Sequence, residues 1–182
     1  ISKTVSLMTY GFDPELSSAS QYLGGYYAVI ESISRLVAAG SDLNQIRLSF
    51  QEFYEKMDSA KAWSKPLKAL IGAFEVTSFF EIPPIGGKDS MSGTFEDIKV
   101  PPTLISFAVT TENVENIITN DLKGEGKLGL IRTPYKEDGT LDLEELENNC
   151  KKLIKDIRDG NIISAIALTR KGLLADIYEQ AV

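Results

Sequence analysis

Apolar residues recur with helical spacing in three long segments, and each segment is predicted to form a helix. The first covers residues 22–39 and ends at Gly40. The second begins near Ser64, with Pro66 in its first turn. The third covers residues 142–159, between a capping Asp142 and a stop at Gly160. In each helix the stripe is expected to face the core: Val29, Ile30, Ile33, Leu36 and Val37; Leu67, Leu70, Ile71 and Phe74; Leu143, Leu146, Cys150, Leu153, Ile154 and Ile157.

Shorter runs between the helices predict strands. Residues 5–10 and 46–50 are typical of strands with one buried face, and the almost wholly apolar residues 103–109 are typical of a central strand. Two more strands are predicted at residues 128–132 and 162–168, followed by a helix from Gly172. Alternation of strands and helices indicates the α/β or α+β class.

The pattern changes shortly after residue 110, so we expect one domain over residues 1–112 and another over residues 113–182. The second unit has only two clear strands, fewer than an independent sheet usually needs. Val182 lies inside a helical pattern that has no cap. We therefore expect the chain to be a piece of a longer polypeptide.

Composition excludes several classes of function. The 182 residues include 19 Lys and Arg against 26 Asp and Glu, a net charge of −7, which argues against a nucleic-acid partner. No apolar run reaches the roughly 18 residues of a membrane span, and no leader-like segment opens the chain. We expect no membrane partner and a cytoplasmic location, which the single cysteine also fits. The absence of histidine excludes Ser–His triads and the usual zinc sites.

The string Gly86-Gly87-Lys88-Asp89-Ser90 is the most unusual local sequence. Adjacent glycines let backbone N–H groups approach an anion, Lys88 is able to neutralise a phosphate, and Asp89 is able to hold magnesium. It is not a Walker A loop, because Asp89 follows Lys88 where that motif needs serine or threonine. The alternative is a glycine-rich hairpin with a solvated lysine and aspartate.

Three further charged residues are candidates for a site. Glu31 and Arg35 lie four residues apart on the polar side of the first helix, either as an exposed ion pair or as the lining of a cleft. Arg170 precedes the last helix, where α/β proteins often bind anions, although solvated basic residues are also common there. Cys150 is expected to fill the core.

Four segments together resemble the phosphoribosylformylglycinamidine synthase family: residues 86–95, 100–109, 48–53 and 27–32. The resemblance implies an enzyme of purine biosynthesis that uses ATP, magnesium and ammonia from a glutaminase domain to convert formylglycinamide ribonucleotide to its amidine. It also implies two copies of an aminoimidazole ribonucleotide synthetase-like unit. This chain resembles the second copy: residues 1–112 match the later part of its N-terminal domain, and residues 113–182 match the beginning of its C-terminal domain.

The resemblance also implies roles for the candidate residues. Gly86, Gly87, Lys88, Asp89 and Ser90 match a loop near an auxiliary nucleotide, and Glu31 matches a magnesium ligand. Arg35 stands where relatives have asparagine, Arg170 stands where they have aspartate, and Met8 replaces a further aspartate. Guanidinium groups oppose the binding of a divalent cation. We therefore hypothesise that Arg35 or Arg170 pairs with Glu31 or Asp89 and that the lobe has lost its magnesium.

Three functional classes follow. The favoured one is a non-catalytic half of the synthetase, since a chain without histidine lacks the family's catalytic histidine; its partners are the first repeat and the glutaminase domain. ATP and magnesium then belong to the full-length enzyme, with none expected on this piece. The second is an active ATP-using enzyme resembling thiamine-phosphate or selenophosphate kinases. The third is an interaction module that self-associates through the strand at residues 103–109.

Overall fold

The computed structural model describes residues 3–181. Its strands are β1 (Thr4–Gly11), β2 (Arg47–Phe53), β3 (Pro84–Ser90), β4 (Thr94–Phe95), β5 (Ile98–Lys99) and β6 (Thr103–Asn113). Its helices are α1 (Pro14–Ala19), α2 (Gln21–Ala38), α3 (Ala60–Phe79), α4 (Leu143–Arg158) and α5 (Leu173–Ala181). Two short 3-10 turns cover Leu43–Gln45 and Val114–Asn116. No helix within residues 3–181 is long and apolar enough to cross a membrane.

The main sheet has four strands in the order β1-β6-β2-β3, and β4 with β5 forms a separate small hairpin. Strand β6 is antiparallel to both β1 and β2, while β3 is parallel to β2. The central position predicted for the run at residues 103–109 is therefore confirmed. Because of these directions, the carboxyl ends of β1, β2 and β3 all lie at the same end of the sheet.

Helix α2 is the centre of the core. Its predicted stripe is buried, and it packs on β1 and β6 on one side and on α3 on another. The helix ends as predicted, because Gly40 has a φ of 99°, a conformation that glycine adopts without strain. The core also takes in Leu48 from β2 and Leu104 from β6.

Helix α3 differs from its prediction. It begins at Ala60, because the Ser59 hydroxyl accepts a 3.2 Å hydrogen bond from the Ala62 N–H, so Pro66 lies inside the helix. The stripe expected in the core is exposed instead, and Phe74 is 71% exposed. The buried face carries mainly small residues: Ala62, Pro66, Ala69, Gly72, Ala73, Val76 and Thr77.

Contact between helix backbones explains why small residues face inward. A Cβ atom on Gly25 of α2 would lie 2.0 Å from the carbonyl oxygen of Ala69. A Cβ atom on Gly72 of α3 would lie 2.0 Å from the carbonyl oxygen of Tyr22. Large side chains do not fit between helices at such a separation, so the larger apolar residues of α3 point outward.

Helix α4 and its apolar stripe are confirmed. The Asp142 carboxylate accepts a 3.1 Å hydrogen bond from the Glu145 N–H, and Gly160 follows the helix with a φ of 75°. The Tyr26 hydroxyl on α2 accepts from the Leu141 N–H at 3.1 Å and donates to the Leu141 carbonyl at 3.2 Å. These bonds fix the start of α4 against α2.

The strands predicted at residues 128–132 and 162–168 do not form. Within residues 3–181, the β-pairing of these two segments is limited to an isolated parallel bridge between Thr119 and Ser164. An alternating pattern becomes a strand only where another strand supplies hydrogen-bond partners. Helix α5 begins at Leu173 as predicted, and the expected helical position of Val182 lies outside the described residues. The domain division at residue 112 stays a prediction.

Helix α1 was not predicted. The turn-like sequence Gly11-Phe12-Asp13-Pro14 does introduce it, because the Asp13 side chain accepts hydrogen bonds from the Glu15 and Leu16 N–H groups. Its six residues are too few for a periodic apolar stripe to show in the sequence.

Replacing Gly72 by alanine tests the helix contact. Alanine favours helices over glycine, yet here its methyl group collides with the Tyr22 carbonyl oxygen. We expect G72A to lower the free energy of unfolding by about 3 kcal/mol in urea titrations. Gly129 is the control, because a Cβ there meets nothing within 4 Å. Equal stability of G72A and G129A would contradict the close contact.

Candidate functional site

The carboxyl end of β1 turns sharply against helix α2. A Cβ atom on Gly11 would lie 2.1 Å from the carbonyl oxygen of Ala28, so glycine is required where the strand passes this close to the helix. The turn then brings Tyr10, Phe12 and Asp13 beside the polar side of α2.

Glu31 and Arg35 on α2 hold this turn. The Glu31 carboxylate accepts a 2.5 Å hydrogen bond from the Arg35 guanidinium on one oxygen and a 2.9 Å bond from the Phe12 N–H on the other. Arg35 also donates to the Tyr10 carbonyl at 2.7 Å, and its guanidinium carbon lies 5.1 Å from the centre of the Tyr10 ring. Each side chain of the pair is 26% exposed, so this is a partly desolvated structural pair rather than a free surface one.

These residues do not fit a magnesium ion. Magnesium needs oxygen ligands, and both carboxylate oxygens of Glu31 already accept hydrogen bonds. The adjacent fixed charge of Arg35 repels a cation. Across the described residues 3–181, no group of three or more acidic, cysteine or histidine side chains is placed to hold a metal. Met8, where relatives are expected to have an aspartate, is an exposed thioether on the uncovered side of β1.

Arg170 pairs differently from the sequence-based hypothesis. Its guanidinium lies 3.5 Å from the Glu15 carboxylate and 4.0 Å from that of Asp13, rather than beside Glu31 or Asp89. The buried Asp176 stabilises the turn that carries Arg170. That carboxylate accepts hydrogen bonds from the Thr169 N–H at 2.7 Å and from the Thr169 hydroxyl at 2.8 Å. Arg170 thus connects the start of α5 to the start of α1.

The glycine-rich segment forms neither a hairpin nor a phosphate-binding loop. Gly86, Gly87, Lys88, Asp89 and Ser90 belong to β3, an edge strand that pairs in parallel with β2. Strands β1 and β3 form opposite edges of the sheet, three strand spacings or about 14 Å apart. Asp89 therefore lies on the edge strand farthest from β1, whereas Glu31 binds the turn that follows β1. A nucleotide-binding role for this segment stays a prediction.

Glu52 is a buried ionisable residue that no sequence motif indicated. Its side chain points into the core beside Tyr54 and is only 7% exposed, and one carboxylate oxygen has no hydrogen-bond partner within residues 3–181. Burial, reinforced by the negative charge of Asp89, raises its pKa to about 7. The sequence does contain a signal, because Glu52 continues the inward alternation of Leu48 and Phe50.

A second acidic residue, Glu55, has the opposite environment. Its carboxylate pairs with Lys65 and, at 2.7 Å, with Lys99. Hydrogen bonds from the two lysines lower its pKa to about 2. Glu55 therefore stays ionised at any pH near neutral and anchors the hairpin strand β5 to the start of α3.

A large cleft of about 1540 Å³ lies between α2 and the C-terminal segments. Its lining is mostly apolar, with charge from Glu31, Asp13 and Arg170 at one part and from Lys123, Glu125 and Lys127 elsewhere. Cys150 also lines it, but burial raises the pKa of its thiol to about 12, so it is a poor nucleophile at neutral pH. The cleft brings Glu31 and Arg170 to one space and leaves the β3 residues outside its lining.

No family model and no curated protein matches the sequence. Several solved structures, however, have a fold similar to that of this chain. Thermotoga maritima PurL complexed with FGAR is similar over 97% of this chain and 27% of that chain, with a TM-score of 0.62 and 18% identity. Phosphoribosylformylglycinamidine synthase II from the same organism is similar over 97% and 28%, with a TM-score of 0.61 and 18% identity. The PurL complex with ATP is similar over 87% and 25%, with a TM-score of 0.58 and 20% identity.

The described chain therefore has an aminoimidazole ribonucleotide synthetase-like α/β fold, as the sequence predicted. Its particular form is that of the PurL structures. The chain spans about a quarter of the length of those proteins, 28% in the case of synthase II. At these identities the similarity establishes the fold, and the chemistry has to be argued from this chain's own residues.

The raised pKa of Glu52 gives a pH test of the fold. Between its ordinary pKa of 4.5 and the folded value of about 7, the folded chain keeps a proton that the unfolded chain releases. Stability contributed by this group therefore falls as pH rises through that window. Glutamine carries no charge at any pH, so we expect E52Q to gain up to about 3 kcal/mol on the wild type between about pH 5 and about pH 8.

Urea unfolding of both proteins at the two pH values measures this gain. The matched control is E137Q, the same substitution at an exposed turn position. A pH-independent difference for E52Q would show that Glu52 is ionised in the folded chain throughout.

Proposed function

We propose that this chain is a non-catalytic lobe of an ATP-dependent carbon–nitrogen ligase. The full polypeptide converts formylglycinamide ribonucleotide to its amidine with glutamine-derived ammonia, in purine biosynthesis. The proposal is supported by the fold shared with PurL structures that hold ATP and FGAR. It is also supported by the sequence segments at residues 86–95 and 100–109 that resemble this family.

One observation supports the non-catalytic assignment most strongly. The two oxygens of Glu31 are bound by Arg35 and by the Phe12 N–H, so the group best placed to ligate a metal serves the fold instead. Arg35 supplies one fixed positive charge inside the protein, next to the carboxylate. The lobe then keeps its shape without a divalent cation, and ATP and magnesium act elsewhere in the full enzyme.

The alternative, an active kinase-like enzyme, is less well supported because Glu31 is already bound by Arg35 and the Phe12 N–H. An ATP-using kinase needs acidic side chains free to bind magnesium at its nucleotide. Glu31 is engaged, and Asp89 lies at the opposite edge of the sheet from it. If nucleotide binds in the cleft of this lobe, its phosphates would meet Arg170 rather than a metal.

A second role, as an interaction surface, is supported by the uncovered side of the sheet. Met8 and Tyr10 of β1 are exposed there and pair across the ladder with Val109 and Phe107 of β6. An antiparallel sheet with apolar residues on both faces needs a covering layer on each side. We propose that the remainder of the synthetase covers this face, and that the isolated piece self-associates through it.

Stability in the presence of magnesium tests the loss of the metal site. We expect the melting temperature of the wild type to be the same in excess EDTA and in millimolar magnesium, because Arg35 holds the Glu31 carboxylate. The variant R35N/R170D places an amide oxygen beside Glu31 and a carboxylate beside Asp13 in the same cleft, and we expect magnesium to raise its melting temperature.

Differential scanning calorimetry with both proteins makes the comparison. K151N is the control, because it breaks an exposed ion pair with Glu147 that is remote in sequence from the site. Magnesium-dependent stabilisation of the wild type would refute the proposal, whatever the double variant does.

Amidine formation by the full-length synthetase tests the role of β3. We expect a K88A/D89A variant to keep near-normal turnover, because both residues lie on an exposed edge strand of a scaffold. The assay measures amidine formed with glutamine and with ammonia, after circular dichroism confirms folding. A large loss of turnover with both nitrogen sources would show that this lobe takes part in catalysis.

A further inference from the structure

The outer side of helix α3 carries an unusual concentration of exposed apolar residues. Trp63 is 55% exposed and Phe74 is 71% exposed, and the residues between them on the same stripe are exposed as well. We call this set the α3 seam: Trp63, Leu67, Leu70, Ile71 and Phe74. Single exposed apolar residues are common, but five on one helix stripe form a contiguous patch.

The spacing of the α3 seam indicates the shape of its partner. Steps of four, three and four residues connect Trp63, Leu67, Leu70 and Phe74. This is the a/d repeat by which one helix packs side chains along another helix.

A cleft at the C-terminal half of the seam completes the surface. It has a volume of about 370 Å³ and lies between Leu70, Ile71 and Phe74 of α3, Phe50 of β2 and Pro84 of β3. An apolar cleft next to a helical seam receives one large side chain of a bound helix.

The charged residues beside the α3 seam indicate the partner's chemistry. Lys61 and Lys68 follow one side of the seam, and neither forms an ion pair within residues 3–181. Lys65 on the next turn is already paired with Glu55, and the acidic Glu75 accepts a hydrogen bond from the Tyr22 hydroxyl. Lys61 and Lys68 are thus unpaired cations beside an apolar surface, in a chain whose net charge is −7.

We propose that the α3 seam is a docking site for an amphipathic α-helix with an apolar a/d face and an acidic flank. The apolar face covers the seam, one of its large side chains enters the cleft, and its carboxylates lie beside Lys61 and Lys68. This surface is separate from the Glu31 turn and from the uncovered side of the sheet. It is therefore independent of the proposed function.

Trp63 makes the test direct, because it is the only tryptophan in the chain. Two synthetic helical peptides serve as probes, with the same leucine a/d face but with glutamate or lysine flanks. We expect the acidic peptide to shift Trp63 emission to shorter wavelength with saturation. We expect the basic peptide to bind at least about tenfold more weakly, and added salt to reduce the difference.

Substitutions in the α3 seam test whether the peptides bind there. L67D places a charge in the middle of the seam, and we expect it to abolish the response to the acidic peptide. The matched control is L174D, at an exposed leucine on α5, which is expected to bind as the wild type does. K61E/K68E is expected to reverse the preference and bind the basic peptide better. Far-UV circular dichroism checks that each variant is folded.

Three results would overturn the proposal. The first is equal binding of the two peptides, or binding unaffected by L67D. The second is a Trp63 shift produced by vesicles of phosphatidylcholine and phosphatidylserine but by neither peptide, which would assign the seam to an anionic lipid surface. The third is a dimer in sedimentation that L67D converts to a monomer, which would assign it to a second copy of this chain.

Discussion

Backbone contact between α2 and α3 is the constraint on which the rest of the structure depends. Gly25 meets the Ala69 carbonyl and Gly72 meets the Tyr22 carbonyl at distances that no side chain tolerates. The contact fixes α2 above the sheet, which in turn places Glu31 and Arg35 beside the end of β1. It also forces the large apolar residues of α3 outward, so the same constraint creates both the turn site and the α3 seam.

Around Glu31, an internal guanidinium takes the position that a metal would need. A divalent cation and an arginine both neutralise a carboxylate, but they differ in what else they permit. A cation leaves coordination positions for phosphate oxygens, whereas Arg35 also donates to the Tyr10 carbonyl and so ties the carboxylate to the end of β1. The charge is compensated and the turn is held without a metal ion. This is the physical basis for regarding the lobe as scaffold.

The apolar periodicity predicted the element and its buried face correctly where the rest of the protein surrounds the element. It predicted them less well elsewhere. For α2, α4 and β6 the apolar pattern and the buried face agree. For α3 the pattern correctly indicated a helix but not the buried side, because small residues rather than large ones make the closest contact. The segments at residues 128–132 and 162–168 have strand-like patterns but find no strand with which to pair.

By itself the sequence determined the three long helices, the stops at Gly40 and Gly160, and the presence of Arg35 four residues after Glu31. Those features depend on local backbone geometry and on spacing along one chain. Only the tertiary structure decided that both oxygens of Glu31 accept hydrogen bonds, that Arg170 pairs with Asp13 and Glu15, and that Asp89 lies on the edge strand farthest from β1. Distances between residues far apart in the chain depend on strand order and helix packing, which no local pattern encodes.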